Sequence, residues 1–382
     1  MANHTEKLIP NALLPIYRQV LDGKRISDEQ CLALYHSHDV NALGLIANII
    51  RERKNGNVGT YINNLYVNYS NHCILRCAFC AFGARKNEDH AFELSIDQIL
   101  DRIRIGISHG STEVHMVGGL HPTLKPDWYL ELISRIRTLD PALFIKAFTA
   151  VEIRHLADRV FKISVQETLE KLREAGLGAI TGGGAEIFDQ AIRDRICKGK
   201  ETAEEWAEVH MTWHRMGMRS TATMLFGHIE TPEHRVDHLR RLRTIQDETA
   251  GFVAFIPFAF ERGGARPELQ HVQQATAQDE LRNLAISRIY LDNFDHITAY
   301  WISLGLPLAS IAMNYGVDDL HGTIMEEKIF HMAGAKTPTQ QTLAAMQKAI
   351  REAGRDPVQR DTSYRPFLPK DKTEPQPEIL NT

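Results

Sequence analysis

Three cysteines fall within eight consecutive positions, at Cys73, Cys77 and Cys80, with the spacing C-x3-C-x2-C. Thiolates are soft ligands that suit zinc and iron–sulfur clusters. A structural zinc site normally has four protein ligands and often a second C-x2-C pair, which this sequence lacks. Three thiolates can instead hold one face of a four-iron cluster. The spacing therefore predicts an iron–sulfur centre with one open iron, where a small molecule could chelate the metal and receive an electron.

Two other interpretations of these cysteines stay open. They could lie close together by chance, or they could bind zinc with His72 or His90 as the fourth ligand. The remaining cysteines, Cys31 and Cys197, are isolated in the sequence. We expect both to be ordinary small core residues.

The elements that must position these cysteines follow a regular pattern. From Tyr61 onward, short β-branched or aromatic runs alternate with helical segments, which is typical of βα units around a parallel sheet. Separate helix-start signals support the pattern, such as Ser95 with Gln98 and Thr231 before Pro232. We predict an α/β fold, a partial six-stranded βα barrel of the TIM type. The predicted strands are 66–69, 113–117, 144–148, 179–182, 220–226 and 252–258.

The chain divides into four predicted segments. Residues 1–57 form an N-terminal helical segment, 58–300 the barrel, 301–360 an extension that closes it, and 361–382 a disordered tail with many prolines and charges. The stretch 296–333 has no clear pattern.

Composition limits the possible functions. The chain has 382 residues, 43% hydrophobic and 24% charged, which is typical of a folded globular protein. A formal net charge of −4 gives no basic surface for nucleic acid, and no uninterrupted apolar run reaches membrane-spanning length. The N-terminal residues lack a signal-type apolar core, and five cysteines do not suggest a disulfide framework. We therefore expect a cytoplasmic protein that binds neither nucleic acid nor membrane and acts on a small molecule.

An unusual cluster of residues follows each predicted strand. Examples are Gly118-Gly119, Thr149 to Glu152, Gly182 to Gly184 and Gly227-His228. The carboxyl ends of parallel barrel strands meet on one rim, where the active sites of such barrels lie. We therefore expect these clusters to surround the cysteines.

The cysteine spacing, with the aromatic Phe79 before the last cysteine, resembles the radical S-adenosylmethionine superfamily. Within it, the chain is similar to the aminodeoxyfutalosine synthases over roughly residues 55 to 335. The matching segments are Val117-Gly-Gly-Leu-His-Pro122, Lys146-Ala-Phe-Thr-Ala-Val-Glu-Ile153, Gly182-Gly-Gly-Ala-Glu-Ile187, Ala222-Thr-Met-Leu-Phe-Gly-His-Ile-Glu230, Asp247-Glu-Thr-Ala-Gly-Phe252 and Asp318-Asp-Leu-His-Gly-Thr323.

The resemblance implies a transferase of menaquinone biosynthesis. A [4Fe–4S] cluster held by Cys73, Cys77 and Cys80 would cleave S-adenosylmethionine. The 5′-deoxyadenosyl radical would then add to 3-[(1-carboxyvinyl)oxy]benzoate, giving 6-amino-6-deoxyfutalosine, methionine and bicarbonate. An electron donor such as flavodoxin or ferredoxin is implied. The alternatives are a cyclic dehypoxanthine futalosine synthase of the same pathway, or a non-catalytic iron–sulfur or zinc protein.

The resemblance also suggests cofactor contacts on the rim. Gly118 and Gly119 fit a position where bare backbone approaches the cosubstrate, although such a pair also suits a turn with positive φ. Phe79, Gly183 and Glu186 are further candidates. Glu186 could instead lie in the first turn of the next helix, where acidic residues are favoured.

Five residues are candidates for substrate binding or catalysis. Lys146 lies in an apolar strand, where a substrate carboxylate or an internal acid such as Glu152 could offset the cost of its burial. Arg85 and His121 are further substrate anchors. The candidate catalytic residues are Lys146, His121, Glu152 and His228, and either imidazole could instead be structural.

Overall fold

The computed structural model describes residues 5–367. Its centre is a seven-stranded, wholly parallel sheet in which consecutive strands are neighbours, in the order β2 to β8. A second parallel sheet has the order β10-β1-β9. The strands are β1 (Val58–Ile62), β2 (Asn64–Val67), β3 (Glu113–Met116), β4 (Phe144–Thr149), β5 (Ala179–Thr181), β6 (Arg219–Phe226), β7 (Phe252–Ala259), β8 (His296–Ile297), β9 (Asp319–Gly322) and β10 (Asp356–Gln359).

The helices cover the outer face of the curled sheet, and three of them precede it in the chain. They are α1 (Leu14–Leu21), α2 (Asp28–Tyr35), α3 (Val40–Asn55), α4 (Ile96–Ser108), α5 (Pro126–Leu139), α6 (Ala150–His155), α7 (Val165–Ala175), α8 (Gln190–Ile196), α9 (Ala203–Arg215), α10 (Pro232–Thr249), α11 (Ala277–Tyr290), α12 (Trp301–Leu304), α13 (Leu306–Ala312), α14 (Ile329–Met332) and α15 (Leu343–Glu352).

The helix-start signals in the sequence are confirmed. Capping boxes, in which the first and fourth residues each accept a hydrogen bond from the other's backbone N–H, begin several helices, including the predicted one at Ser95. They pair Ser27 with Gln30, Ser95 with Gln98, Ser164 with Glu167 and Thr202 with Glu205. Asp39 caps α3, and Pro232 is the first residue of α10.

The barrel fold is confirmed, with one strand more than the six predicted. The extra strand, β8, lies in the stretch that had no clear pattern, because two residues are too short to show periodicity. Residues 319–324 bridge the two edges of the large sheet. Asp319 pairs with Thr298 beyond β8, and the carbonyl of Ile324 accepts the N–H of Tyr66 in β2 at 2.8 Å. This bridge closes the ring of strands.

A buried ion pair fixes the closing segment. The Arg360 guanidinium donates to both carboxylate oxygens of Asp319, at 2.6 and 3.1 Å. The same carboxylate accepts the hydroxyls of Thr60 at 2.8 Å and Thr298 at 2.9 Å, and the backbone N–H of His321 at 2.9 Å. One carboxylate therefore connects β1, β9, the end of β8 and the C-terminal segment.

Part of the predicted disordered tail is ordered. Residues 361–367 pack against the barrel, where Thr362 donates to Glu113 at 2.7 Å and Tyr364 lies 3.0 Å from the hydroxyl of Thr298. The rest of the predicted tail, 368–382, lies outside the described residues. Among the described helices, none is long and apolar enough to cross a membrane.

The Asp319 connection predicts a large effect on stability. Replacing Arg360 with methionine leaves a buried carboxylate without its cation, which typically costs about 3–5 kcal/mol. We expect a loss of this size in the free energy of unfolding, measured by urea titration. Arg365→Met is the control, because Arg365 is exposed and should change stability by less than about 0.5 kcal/mol. Equal effects of the two substitutions would contradict this role for the ion pair.

Candidate active site

The three cysteines line one cavity at the carboxyl-end rim of the barrel, together with Gly118, Gly119 and Lys200. Backbone hydrogen bonds hold their loop to neighbouring segments. Cys73 N–H donates to the carbonyl of Ala84 at 3.0 Å, and Ala78 N–H donates to that of Ile196 at 2.6 Å. The prediction that clusters after different strands meet at one rim therefore holds for the segments after β2, β3 and β4, since Val151 also lines the cavity.

The cysteine geometry suits a cluster better than a single zinc ion. In the described chain, the only group of three possible ligands with all donor atoms within 4.8 Å of one another is His72, Glu93 and His121. The three cysteine sulfurs are therefore too far apart to share one tetrahedral zinc ion, whose Zn–S bonds are about 2.3 Å long. A four-iron cluster needs the wider spacing, because each sulfur binds a different iron.

The cysteines are free thiols, of which Cys77 is buried while Cys73 and Cys80 are partly exposed. Burial raises the pKa of Cys77 well above its usual value and raises that of Cys80, although the Gly83 N–H, 3.4 Å from the Cys80 sulfur, opposes this. Metal binding must therefore displace protons from these sulfurs. Cys31 and Cys197 are buried core residues, as predicted, and do not line the cavity.

Gly118 and Gly119 are required by close packing, and neither has a positive φ, so the alternative interpretation as a positive-φ turn is wrong. A Cβ on Gly118 would lie 2.4 Å from the Tyr69 ring, and one on Gly119 would lie 2.3 Å from the backbone oxygen of His72. These glycines let the strand end lie directly against the cysteine loop.

Glu152 fixes this glycine segment. Its carboxylate accepts the hydroxyl of Tyr69 at 2.8 Å, the N–H of Gly118 at 2.9 Å, and both the N–H and the hydroxyl of Thr149 at 2.8 Å. Burial raises the pKa of Glu152, and these donors oppose the rise. The four bonds use the acceptor sites of the carboxylate, so its contacts are those of a positioning residue.

Lys200 is a cavity residue that the sequence analysis missed. Its ammonium forms a buried ion pair with Glu186 and lies 5.5 Å from the centre of the Phe79 ring. Burial opposes its charge, but Glu186 and the nearby sulfur of Cys77 raise its pKa. Glu186 precedes α8 and its cap Asp189, so the interpretation as a first-turn residue is wrong. The only sequence signal for Lys200 is its position in the loop that follows β5 and α8.

Gly183 lies beside Thr149 and Trp206. Its carbonyl accepts the indole N–H of Trp206 at 3.3 Å, and a Cβ on it would lie 2.8 Å from a methyl group of Thr149. The preceding Gly182 passes close to β6, since its Cβ would lie 2.6 Å from the carbonyl oxygen of Thr221.

His121 is bound to protein groups behind the rim. Its Nδ1 accepts the N–H groups of Thr123 and Leu124 at 3.2 and 3.1 Å, and its Nε2 lies 2.7 Å from Glu93. A neutral imidazole has one proton, so this proton is on Nε2 and is donated to Glu93. Since that nitrogen cannot then ligate a metal, the group of His72, Glu93 and His121 is a hydrogen-bond network.

Arg85 and His228 lie away from the cavity. Arg85 is exposed and donates to the carbonyl of Cys73 at 3.1 Å, which braces the cysteine loop. His228 is buried beside Glu230 at 2.9 Å, and its Nε2 lies 3.1 Å from the carbonyl of Leu225.

Lys146 lies inside the barrel, near the N-terminal end of β4. It is 6% exposed and forms no ion pair within 4.0 Å in the described chain, so the alternative of a salt bridge to Glu152 is wrong. Burial lowers its pKa, while the nearby Glu113 opposes that change. Because it lies near the start of β4, Lys146 is well below the rim residues.

The comparisons with known proteins decide the family. The Radical SAM superfamily matches residues 67–242, and the CofH/MqnC C-terminal region matches residues 249–372. Aminodeoxyfutalosine synthase of Thermus thermophilus is 42% identical over 95% of this chain and 98% of its own length.

The chain belongs to the radical SAM superfamily. It is accordingly an enzyme whose cofactors are a [4Fe–4S] cluster and S-adenosylmethionine. Two other similar proteins act differently. Cyclic dehypoxanthine futalosine synthase of Streptomyces coelicolor is 37% identical over 92% of this chain and 88% of its own. A 5-amino-6-(D-ribitylamino)uracil–L-tyrosine 4-hydroxyphenyl transferase of Methanoculleus marisnigri is 38% identical over 94% and 98%.

A solved structure has the same fold. Methylornithine synthase superposes with a TM-score of 0.71 over 90% of this chain and 97% of its own, at 16% identity. At that identity the likeness concerns the fold alone.

The cysteine geometry predicts the metal content of the variants. We expect Cys73→Ser, Cys77→Ser and Cys80→Ser each to remove most iron and acid-labile sulfide from anaerobically reconstituted protein, because a three-thiolate site has no spare ligand. Cys197→Ser is the control and should keep wild-type iron and sulfide. Stoichiometric zinc without labile sulfide in the wild type would contradict the cluster.

Proposed function

We propose that this chain is an aminodeoxyfutalosine synthase. The reaction joins the 5′-deoxyadenosyl group of S-adenosylmethionine to 3-[(1-carboxyvinyl)oxy]benzoate, consumes one water molecule, and yields 6-amino-6-deoxyfutalosine, methionine and bicarbonate. The observation that carries the proposal is 42% identity to an enzyme of this name over nearly the full length of both chains.

Cys73, Cys77 and Cys80 are the proposed cluster ligands. Their wide spacing and their position on one cavity support this assignment. When bound, the cluster supplies the electron that splits the sulfonium of S-adenosylmethionine. Arg85 and the Arg76–Glu88 ion pair brace the loop from the outside.

The cosubstrate is proposed to lie across the cavity. Gly118 and Gly119 expose backbone beside the cysteines, and Phe79 forms part of the wall. The Lys200 ammonium is the proposed partner of the methionine carboxylate, and its pairing with Glu186 orients it, while Arg266 is a second cation on the same wall. Glu186 and Gly183 are the proposed contacts to the nucleoside.

Most of the remaining wall is apolar, including Leu75, Phe82, Leu120 and Val151. Such a wall excludes water and stray hydrogen donors from a reactive group. Glu152 contributes indirectly, because it holds Gly118 in place. Lys146 is the proposed substrate anchor inside the barrel, while His121 and His228 hold backbone and carboxylate groups around the rim.

A cytoplasmic location and an external electron donor such as flavodoxin or ferredoxin belong to the same proposal. A reducing compartment suits free thiols that must bind iron. The substrate is a small aromatic dicarboxylate.

Cyclic dehypoxanthine futalosine synthase remains the second candidate, since an enzyme of that name is 37% identical to this chain. It abstracts a hydrogen atom and leaves the adenosyl group out of the product. The fate of the adenosyl group therefore separates the two activities.

We expect one anaerobic turnover with the enol-ether benzoate to give a product that retains the adenosine moiety, identified by mass as 6-amino-6-deoxyfutalosine. Dehypoxanthine futalosine is the comparison substrate and should remain unchanged. Its cyclisation, or release of 5′-deoxyadenosine alone with both substrates, would contradict the proposal.

Lys200→Met is expected to raise the KM for S-adenosylmethionine about tenfold to a hundredfold, because a hydrogen bond to a charged group contributes about 1.5–3 kcal/mol. Iron content should stay at the wild-type value. Lys198→Met is the matched control, since Lys198 is exposed and two residues away. An unchanged KM in Lys200→Met would remove the lysine from the cosubstrate site.

A further inference from the structure

The barrel interior below the rim contains a histidine without a hydrogen bond. His115 projects from β3, and neither of its ring nitrogens has a partner in residues 5–367; Nδ1 is fully buried. The imidazole stacks on Tyr66, with ring centres 4.2 Å apart and planes 14° apart. Buried polar groups are normally paired, so an unpaired imidazole in a barrel interior suggests a missing partner.

Two other polar groups beside His115 also lack partners. Lys146 is its register neighbour on β4, and its ammonium has no hydrogen bond or ion pair within the described part of the chain. His321 has a buried, unpaired Nδ1, while its Nε2 lies 3.2 Å from the hydroxyl of Tyr66. Burial lowers the pKa of both imidazoles, to about 3 for His321, and the nearby charge of Lys146 adds to this. The group thus offers one cation and two neutral rings.

The carboxylates near Lys146 already accept hydrogen bonds from other groups. Asp319 is paired with Arg360. Glu113 accepts the amide of Asn64 at 3.0 Å and the hydroxyl of Thr362 at 2.7 Å. Although burial opposes ionisation, the nearby Lys146 and the hydrogen bond from Asn64 hold the pKa of Glu113 at about 2. Glu113 therefore favours the charged form of Lys146 from more than 4 Å away and leaves its N–H donors free.

One ammonium with two imidazole N–H groups is a donor set for a carboxylate, which only accepts hydrogen bonds. Aromatic side chains lie beside the set, since the ring of Tyr300 meets His321 edge to face at 5.2 Å. A planar aromatic acid therefore matches both the donors and the walls.

We propose that His115, Lys146 and His321 bind the ring carboxylate of the substrate and act as positioning residues. This assignment rests on the proposed function, because the reacting vinyl carbon must lie at the rim beside the cosubstrate. The ring carboxylate is the far end of the same molecule, and the three residues lie deeper in the barrel than the cysteines. Binding this end sets the distance between the vinyl carbon and the adenosyl group.

Isothermal titration of the cluster-loaded enzyme, without reductant, tests the assignment. The two probes are 3-[(1-carboxyvinyl)oxy]benzoate and the analogue with a carboxamide in place of the ring carboxylate. We expect the wild type to prefer the carboxylate. His115→Phe, which keeps the stacking on Tyr66, and Lys146→Met should each weaken carboxylate binding about tenfold or more and change carboxamide binding less.

Controls separate binding from folding. Lys146→Met combined with Glu113→Gln removes the neighbouring carboxylate charge together with the lysine and should also lose the preference for the carboxylate. His38→Phe is the matched control at an exposed histidine and should bind as the wild type does. In turnover, His115→Phe should raise the KM for the substrate and the ratio of free 5′-deoxyadenosine to product, with the KM for S-adenosylmethionine unchanged.

Two failures can be told apart. If the wild type binds and converts the substrate but His115→Phe and Lys146→Met keep its preference within twofold, the carboxylate site is wrong and the proposed function stands. If the wild type neither binds the substrate nor forms the adenosyl product, the proposed function itself is wrong.

Discussion

The Asp319 carboxylate is the connection on which the closed barrel depends. A parallel sheet of seven strands has two edges, and those edges carry unpaired backbone groups unless another segment covers them. The segment from 319 to 324 bonds to β2 on one side and lies beside the end of β8 on the other. Asp319 accepts six hydrogen bonds there, two of them from Arg360. A fully buried carboxylate is tolerable because each donor offsets part of its desolvation.

The polar groups inside the closed barrel fall into two sets. At the rim, the cysteines, Gly118, Gly119 and Lys200 surround one cavity. Nearer the N-terminal ends of the strands, Lys146 and His115 lie side by side with unsatisfied donors. Lys146 also lines a cavity at the base of the barrel. The Nδ1 atoms of His115 and His321 are fully buried, where an unpaired polar group is costly and a complementary ligand recovers that cost. Radical chemistry needs the same dry interior.

The sequence predicted the features that depend on local patterns. Six strands and the capped helices follow from alternation and from pairs such as Ser95 with Gln98, because these signals act over a few residues. The cysteine spacing predicted the metal centre for the same reason. Features that depend on distant contacts were missed. Strand β8 has two residues, and the order of 361–367 depends on Thr362 meeting Glu113 across 249 positions.

The individual site residues also divide into those that a local pattern reveals and those that only distant contacts bring together. Lys146 was noticed because a charge interrupts an apolar strand, but its neighbours His115 and His321 come from strands far apart in the sequence. Lys200 follows a short helix in a long loop, where a lysine is usually solvated. Only the folded chain brings it to Glu186 and Phe79. His121 carried the opposite error, because its position after a strand suggested a substrate contact, whereas its nitrogens are occupied by Leu124, Thr123 and Glu93.

The two sets of polar groups also account for the similarity of this chain to enzymes with three different names. Each of these proteins shares 37 to 42% identity with this chain over almost its whole length. The rim has one task throughout the superfamily, which is to hold the cluster and the cosubstrate, so its geometry is constrained. A substrate reaching down from the rim meets His115 and Lys146 with its far end, and a change there alters which molecule is held without disturbing the cysteines. Specificity can therefore change at the base of the barrel while the radical chemistry at the rim stays the same.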